Sequence, residues 1–303
     1  MNNKIYDCFS YWDEDLLLNL RFNVLSDIVD YFVVVESTRT WQNNKKELIF
    51  DIEKFHKFKN KIIYVPVKDM PDGNNPYLRE NFQRNCILRG LINTKDEDYI
   101  MISDADEIPN PNKIKNFQPN MKYAVFKQKH FYYKLNMISS QNPFWYGSRI
   151  CIRKNLKSPQ WLRELKFKKR PFWRIDKYHL NNIIEDGGWH FCNLKSPEKL
   201  LYKYQNLCET NDPYVFNESI DKKYLDLKEI KKRIKSGADI IGREDKYKKI
   251  ELDNTFPSFI LNKYTIRILS KIYYHFHKHN KKFKQNLGSF FYSLDNINNN
   301  NYI

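Results

Sequence analysis

The chain predicts an α/β fold: a mostly parallel central sheet with helices on both faces and an elaborated second half. Three observations carry that expectation. The first 110 residues alternate β-type apolar runs with helical patterns, the rhythm of strand-helix-strand units. The apolar run inside "DYFVVVEST" has no polar alternation, as suits a strand buried on both faces. At 303 residues, 41% of them hydrophobic and 16% aromatic, the chain can fill a core of that kind.

Taken in order, "KIYDCFSY" reads as a strand and "DEDLLLNLRFNVLSDIV" as a helix opened by acidic residues, with leucines at helical spacing. "DYFVVVEST" and "NKIIYVPV" follow as strands, "NPYLRENFQRNCILRGLIN" as a second helix, and "DYIMISDAD" as a strand too short and too β-rich for a helix. Beyond residue 120 come the short strands "YAVFKQKHFYYKL" and "SRICIRK", a basic aromatic stretch from Trp161 to Tyr178, and "NIIEDGGWHFCNL". Helical runs follow at "SPEKLLYKYQNLCE" and "DLKEIKKRIKSG", each preceded by a capping serine or aspartate. No repeat and no Gly-, Pro- or Ser-rich linker divides the chain, which reads as one domain. The end, "NINNNNYI", offers little to bury and is expected to fray.

A net charge of +16 points to an anionic partner: nucleic acid, an acidic membrane surface or a phosphorylated small molecule. The start of the chain has no apolar signal core, and no segment approaches about 20 consecutive apolar residues, so a cytoplasmic protein is expected. Five cysteines without a C-x-x-C pair argue against a disulfide framework and a thiolate zinc site.

"YIMISDADEIPNP" carries the chemistry. Ligand sites in parallel sheets lie at the carboxyl ends of the strands, and there Asp104 and Asp106 could share one hard divalent cation, Mn²⁺ or Mg²⁺. The alternative is a solvated turn in which both acids cap backbone amides. Arg79, Arg84 and Asn85 in "RENFQRN" precede the same strand and could bring positive charge to the crevice, a combination suited to a nucleotide diphosphate bridged by the ion.

The blocks "DCFSYWDEDLLLNLRFNVL", "VDYFVVVESTRTWQNNKKELIF", "RENFQRNCILRGL", "DYIMISDADEIP" and "GGWHF" together resemble glycosyltransferase family 17, over roughly residues 5–260. The resemblance implies a GT-A fold, a UDP-sugar donor (UDP-N-acetylglucosamine in the characterised members) and inversion at the anomeric carbon. It matches Asp104 and Asp106 to the metal and diphosphate motif, with Glu107 and Pro109 following it. The implied layout is a transferase domain over 1–257, divided into a nucleotide-binding part (1–110) and an acceptor part (111–257). A basic amphipathic helix (258–285) and a frayed tail (286–303) follow. A glycan or glycolipid is the expected acceptor.

In "EDGGWHF" the glycines would let backbone approach a ligand, Trp189 would offer a sugar a flat face, and His190 would offer an imidazole to the metal. The alternative is a tight turn with a core tryptophan and a satisfied histidine. Inverting transfer needs a carboxylate base, for which Asp186 stands first and Glu185 second. Glu36, assisted by Thr38 and Arg39, is either a ribose or uracil contact or an exposed acid starting a loop. Arg243 either closes over the diphosphate or pairs with Glu244 or Asp245. Two other function classes stay open. The Trp161–Tyr178 stretch interleaves cations with aromatics as single-strand nucleic-acid binders do, although no recognised motif appears and no specific nucleic acid is expected. A non-catalytic sugar-binding module is the other. "LNKYTIRILSKIYYHFHKHNKKFK" suits peripheral contact with an anionic membrane.

Overall fold

The computed structural model describes residues 3–166, 182–211 and 221–262. Most of the Trp161–Tyr178 stretch and nearly all of the C-terminal basic helix and tail lie outside the described residues.

The first half is built as its apolar pattern demands. Strands β1 (Ile5–Ser10), β2 (Tyr31–Ser37), β3 (Ile62–Val67) and β4 (Tyr99–Asp104) pair in parallel in the order β3-β2-β1-β4. Alternate residues of each strand enter opposite cores. Phe9, Phe32, Val34 and Met101 face one side, with Leu18, Phe22 and Leu25 of helix α1 (Asp15–Leu25); Cys8, Val33, Val35, Ile100 and Ile102 face the other, with Ile87 and Leu91. Helix α2 (Pro76–Asn85) starts with Asn75 accepting from the Tyr77 amide at 3.0 Å and proline at its first position. The predicted helix does not run on to Asn93. It tightens into a 3₁₀ turn at Cys86–Gly90, where Gly90 lies so close to the sheet that a Cβ would come within 2.5 Å of Val33 Cγ1.

After β4 the chain folds back through β5 (Glu107–Pro109) and the short helix α3 (Pro111–Ile114) into β6 (Tyr123–Tyr132), β7 (Met137–Ser139) and β8 (Phe144–Ile152). Helix α4 (Pro159–Glu164), β9 (Ile183–Cys192), α5 (Pro197–Asn206), α6 (Leu227–Ser236) and β10 (Tyr247–Lys249) complete the described elements used below. Here the ladders turn antiparallel, β4 with β8, β8 with β6, β6 with β7 and β7 with β10; only β9 lies parallel to β6. The mixed sheet, parallel through its first half and covered by helices, is the GT-A arrangement. Ser196 and Asp226 cap α5 and α6 as their positions implied. The three-residue strands β5, β7 and β10 and the 3₁₀ segment Ile52–Lys61 have too little periodicity to be read from sequence. Among the described residues no helix is long and apolar enough to cross a membrane.

Candidate active site

The register of the parallel strands decides where the site lies. Ser10 pairs with Asp104, so the ends of β1 and β4 stand level and the two following loops border one crevice. β5 then pairs antiparallel with β9, setting Glu107 opposite His190, while the Phe191 amide donates to the Asp106 carbonyl at 2.8 Å. The result is a cavity of about 250 Å³ whose lining includes Tyr11, Trp12 and Trp41 together with Arg84, Asp104, Asp106 and His190.

A buried ion pair holds the acidic turn in shape. Arg21 of α1 is fully buried and grips both carboxylate oxygens of the equally buried Asp7 at 2.6 Å. Its remaining amino group donates to the backbone carbonyls of Glu107 (2.7 Å), Asp104 (3.2 Å) and Ala105 (3.4 Å). The side chains of the turn are held from the opposite side. Arg163 of α4 bridges Asp104 Oδ2 (2.6 Å) and Glu107 Oε1 (2.5 Å), and Trp145 Nε1 donates to Glu107 at 2.7 Å. Arg84 reaches Asp104 Oδ1 at 3.3 Å and Glu80 at 2.8 Å. Burial alone would push the Asp104 carboxyl up, but Arg163 and Arg84 outweigh it and hold the group well below the usual carboxylate range.

Asp106 is placed differently. Its Oδ1 lies 3.4 Å from His190 Nε2, and one donor atom each from Asp106, His190 and Cys192 fall within 4.8 Å of one another. Burial would lower the His190 imidazolium, yet the adjacent Asp106 raises it to about 10. The ring is fixed by stacking on His130 (centroids 5.0 Å apart, 11° between planes) and by Trp145 at 4.9 Å. Its Nδ1 is buried without a hydrogen-bond partner. Three further charged groups line the cavity: Glu80, Lys203 of α5, donating to Asn193 at 2.9 Å, and Glu14, whose carboxyl burial pushes up to about 7. Glu14 Oε2 accepts from the Trp12 amide at 2.8 Å, which shapes the loop carrying that indole.

The other sequence candidates lie elsewhere. Glu36 is not an exposed acid, and it does not line this cavity. It is fully buried, accepting from Lys46, the Ile49 and Phe50 amides (2.9 and 3.0 Å) and Tyr64 (2.9 Å), and so anchors a loop. The Thr38 amide continues the β2–β3 ladder to Val67 at 3.0 Å, and Arg39 pairs with Asp72. Asn85 accepts from the Gln160 amide at the start of α4, and Arg79 supports the Trp41 carbonyl. Arg243 is exposed and lines neither this cavity nor the one described next.

Glu185, Asp186 and Trp189 belong to that second cavity, of about 670 Å³, with Lys113, Lys127 and Lys129. Strand alternation is the reason: His190 lines the first cavity, whereas its neighbour Trp189 projects into the core and donates to the Thr255 carbonyl at 3.0 Å. The glycines serve the sheet rather than a ligand. Gly188 has φ +130°, and a Cβ there would come within 2.2 Å of the Ile108 carbonyl oxygen. Sequence reasoning missed Glu14, Arg21, Arg163, Cys192 and Lys203, and also Trp12 and Trp41. For Trp12 the signal was present, since it lies two residues past the end of β1.

Residues 1–252 match glycosyltransferase family 17. Over 289 aligned positions the chain is 23% identical to β-1,4-mannosyl-glycoprotein 4-β-N-acetylglucosaminyltransferase of Rattus norvegicus and 24% identical to that of Homo sapiens, covering 82% of this chain and 51% of each relative. The chain therefore spans about half the length of the curated relatives it matches. Among solved structures it aligns with glucosyl-3-phosphoglycerate synthase from Mycobacterium tuberculosis, crystallised with Mn²⁺, uridine diphosphate and phosphoglyceric acid, at 13% identity and a TM-score of 0.32, over 70% of this chain and 81% of that one. The match over five-sixths of the sequence, on a chain with a GT-A sheet and an acidic turn at the end of β4, makes this protein a member of glycosyltransferase family 17.

Proposed function

We propose that the chain is an inverting, metal-dependent glycosyltransferase that moves N-acetylglucosamine from a UDP donor to a glycan or glycolipid acceptor. The observation that carries this reading is the cavity's lining, which combines the rings of Tyr11, Trp12 and Trp41 with the acids and cations Asp104, Asp106, Arg84, His190 and Lys203, a combination suited to a base and a metal-bound diphosphate. The donor set fits a divalent ion, because the Asp106 carboxylate and the His190 imidazole converge. An imidazole ligand favours Mn²⁺ over Mg²⁺, whose preference is for oxygen alone. Such an ion supplies Lewis-acid stabilisation of the departing diphosphate.

The protein's own groups do the rest. Tyr11 and Trp12 offer ring faces to uracil, Asp106 and His190 hold the ion, and Asp104, kept ionised by its arginines, faces the ribose and diphosphate. Arg84 and Lys203 place positive charge beside the leaving group. For the base, position moves the assignment from Asp186 and Glu185 to Glu14. It lines the cavity, burial raises its carboxyl while Lys195 Nζ stands 3.0 Å from its Oε1, and a carboxylate so placed can take the proton of an acceptor hydroxyl. The five free cysteines suit a reducing compartment such as the cytoplasm.

Titration of UDP and UDP-N-acetylglucosamine with and without Mn²⁺ tests the reading. Metal-dependent binding, with sugar transfer that Glu14→Gln abolishes and Asp186→Asn leaves intact, is the expected result. Tight, salt-sensitive binding of single-stranded oligonucleotides with no response to UDP overturns it. UDP binding without transfer to any acceptor or water points to a non-catalytic module.

A further inference from the structure

We infer that Trp145 is the acceptor platform of this enzyme: its indole is the flat apolar face on which a hexopyranose acceptor lies while one of its hydroxyls meets the donor sugar. The inference deepens the transferase reading of the neighbouring cavity and rests on it for the reaction.

Strand pairing puts the indole in place. On β8 Trp145 stands opposite Gln128 of β6, and His130, two residues further along β6, stands opposite His190 of β9, so the three rings share one face of the sheet. The Trp145 ring lies 4.9 Å from that of His190 and 5.9 Å from that of His130. Its Nε1 donates to Glu107 Oε1 at 2.7 Å, and Glu107 Oε2 accepts from the Asp104 amide at 3.0 Å, which ties the ring to the acidic turn. This approach needs Gly147, where a Cβ would come within 2.7 Å of both Glu107 Cδ and Trp145 Cδ1.

Its exposure is what structural support does not explain. Glu107, Gln128 and His190 are buried, yet Trp145, bonded to the first and packed on the last, is 40% exposed. A residue so open could leave its N–H to water; bonding it to an inaccessible carboxylate instead fixes the orientation of a large ring. A fixed, half-open aromatic plane suits a pyranose, which presents an apolar face of C–H bonds with hydroxyls around its rim. Location selects the acceptor over the donor, since Trp145 does not line the cavity but packs on His190, which does. The donor sugar hangs from the diphosphate in that cavity, so the acceptor's place is directly outside it. There the acceptor oxygen bonds to the anomeric carbon as the bond from that carbon to the diphosphate oxygen breaks, the hydroxyl proton passes to the carboxylate base, and UDP leaves.

UDP release from UDP-N-acetylglucosamine by the full chain with Mn²⁺, in the presence of methyl and octyl glycosides of glucose, galactose, mannose and N-acetylglucosamine, tests the assignment. Trp145→Leu is expected to raise the acceptor KM at least about tenfold while UDP affinity, read by calorimetry, falls less than about threefold. Trp145→Phe, which keeps a ring but loses the bond to Glu107, is expected to recover most of the acceptor KM. If the indole only props Glu107 and His190, UDP affinity and kcat fall together in both variants and the acceptor KM does not stand out; that pattern overturns the inference. So does a parent protein that binds UDP with Mn²⁺ yet transfers to none of the glycosides, a result that leaves the donor reading standing. A parent that binds no UDP removes the donor reading itself, and the inference with it.

Discussion

The turn at Asp104–Glu107 and the stretch Glu185–Gly188 of β9 look alike as text: each sets adjacent acids beside aromatic residues. In the fold they are opposites. The Glu107 side chain is inaccessible and those of Asp106 and Asp104 are 17% and 42% exposed, whereas Glu185 and Asp186 are 65% and 78% exposed. The first turn is gripped by Arg21 through its backbone and by Arg163 through its side chains; the second is met by Lys127 at 2.9 Å and Lys113 at 3.5 Å from the surface. Acidic residues acquire chemistry when their neighbours leave them no choice of geometry, and lysines on flexible stems do not impose one.

The largest effect should come from the grip itself. Arg21→Met strands the buried Asp7 charge and should cost about 3–5 kcal/mol of stability in urea denaturation, with Asp7→Asn,Arg21→Met together less damaging than the sum. Additive losses would show that the pair is not a unit. Asp106→Asn should next weaken Mn²⁺-dependent UDP affinity about a hundredfold by calorimetry, equivalent to about 2.7 kcal/mol, whereas Asp186→Asn leaves it unchanged. Equal effects would erase the contrast between the turns.

pH sharpens the same contrast. The His190 pKa is raised in the fold, so the metal-free protein gains stability that is fully present below about pH 6.5 and is lost as pH rises through about 10. Metal competes with that proton, so Mn²⁺ affinity should climb about tenfold per pH unit across the window. In Asp106→Asn the window should retreat toward the ordinary histidine value. Trp12→Ala should reduce UDP affinity about tenfold with or without metal, since it acts on the base. Smallest of all, Lys127→Ala breaks an exposed pair of the second turn and should change stability by less than about 0.5 kcal/mol.

Much of the fold was legible because its strands and helices are written in local periodicity: the parallel quartet, α1, α5 and α6 fall where the apolar runs and caps put them. Asp104 and Asp106 were legible for the same reason, as acids at the exit of a buried strand. What was not legible depends on partners far apart in sequence. Arg21 meets Glu107 across 86 positions and Arg163 meets Asp104 across 59, separations at which no periodicity survives. Glu36 and Trp189 were misjudged because exposure is a property of the packed sheet. Strand alternation would have separated Trp189 from His190 once "EDGGWHF" was read as a strand instead of a loop.

The pairing of Asp7 with Arg21 also constrains how this chain can vary over evolutionary time. Each residue alone is a liability, a full charge without water, and neither can be replaced by a neutral side chain while its partner remains. The two positions should therefore drift as a coupled unit. Related chains that lack one are expected to lack both and to hold the carbonyls of their acidic turn by some other donor.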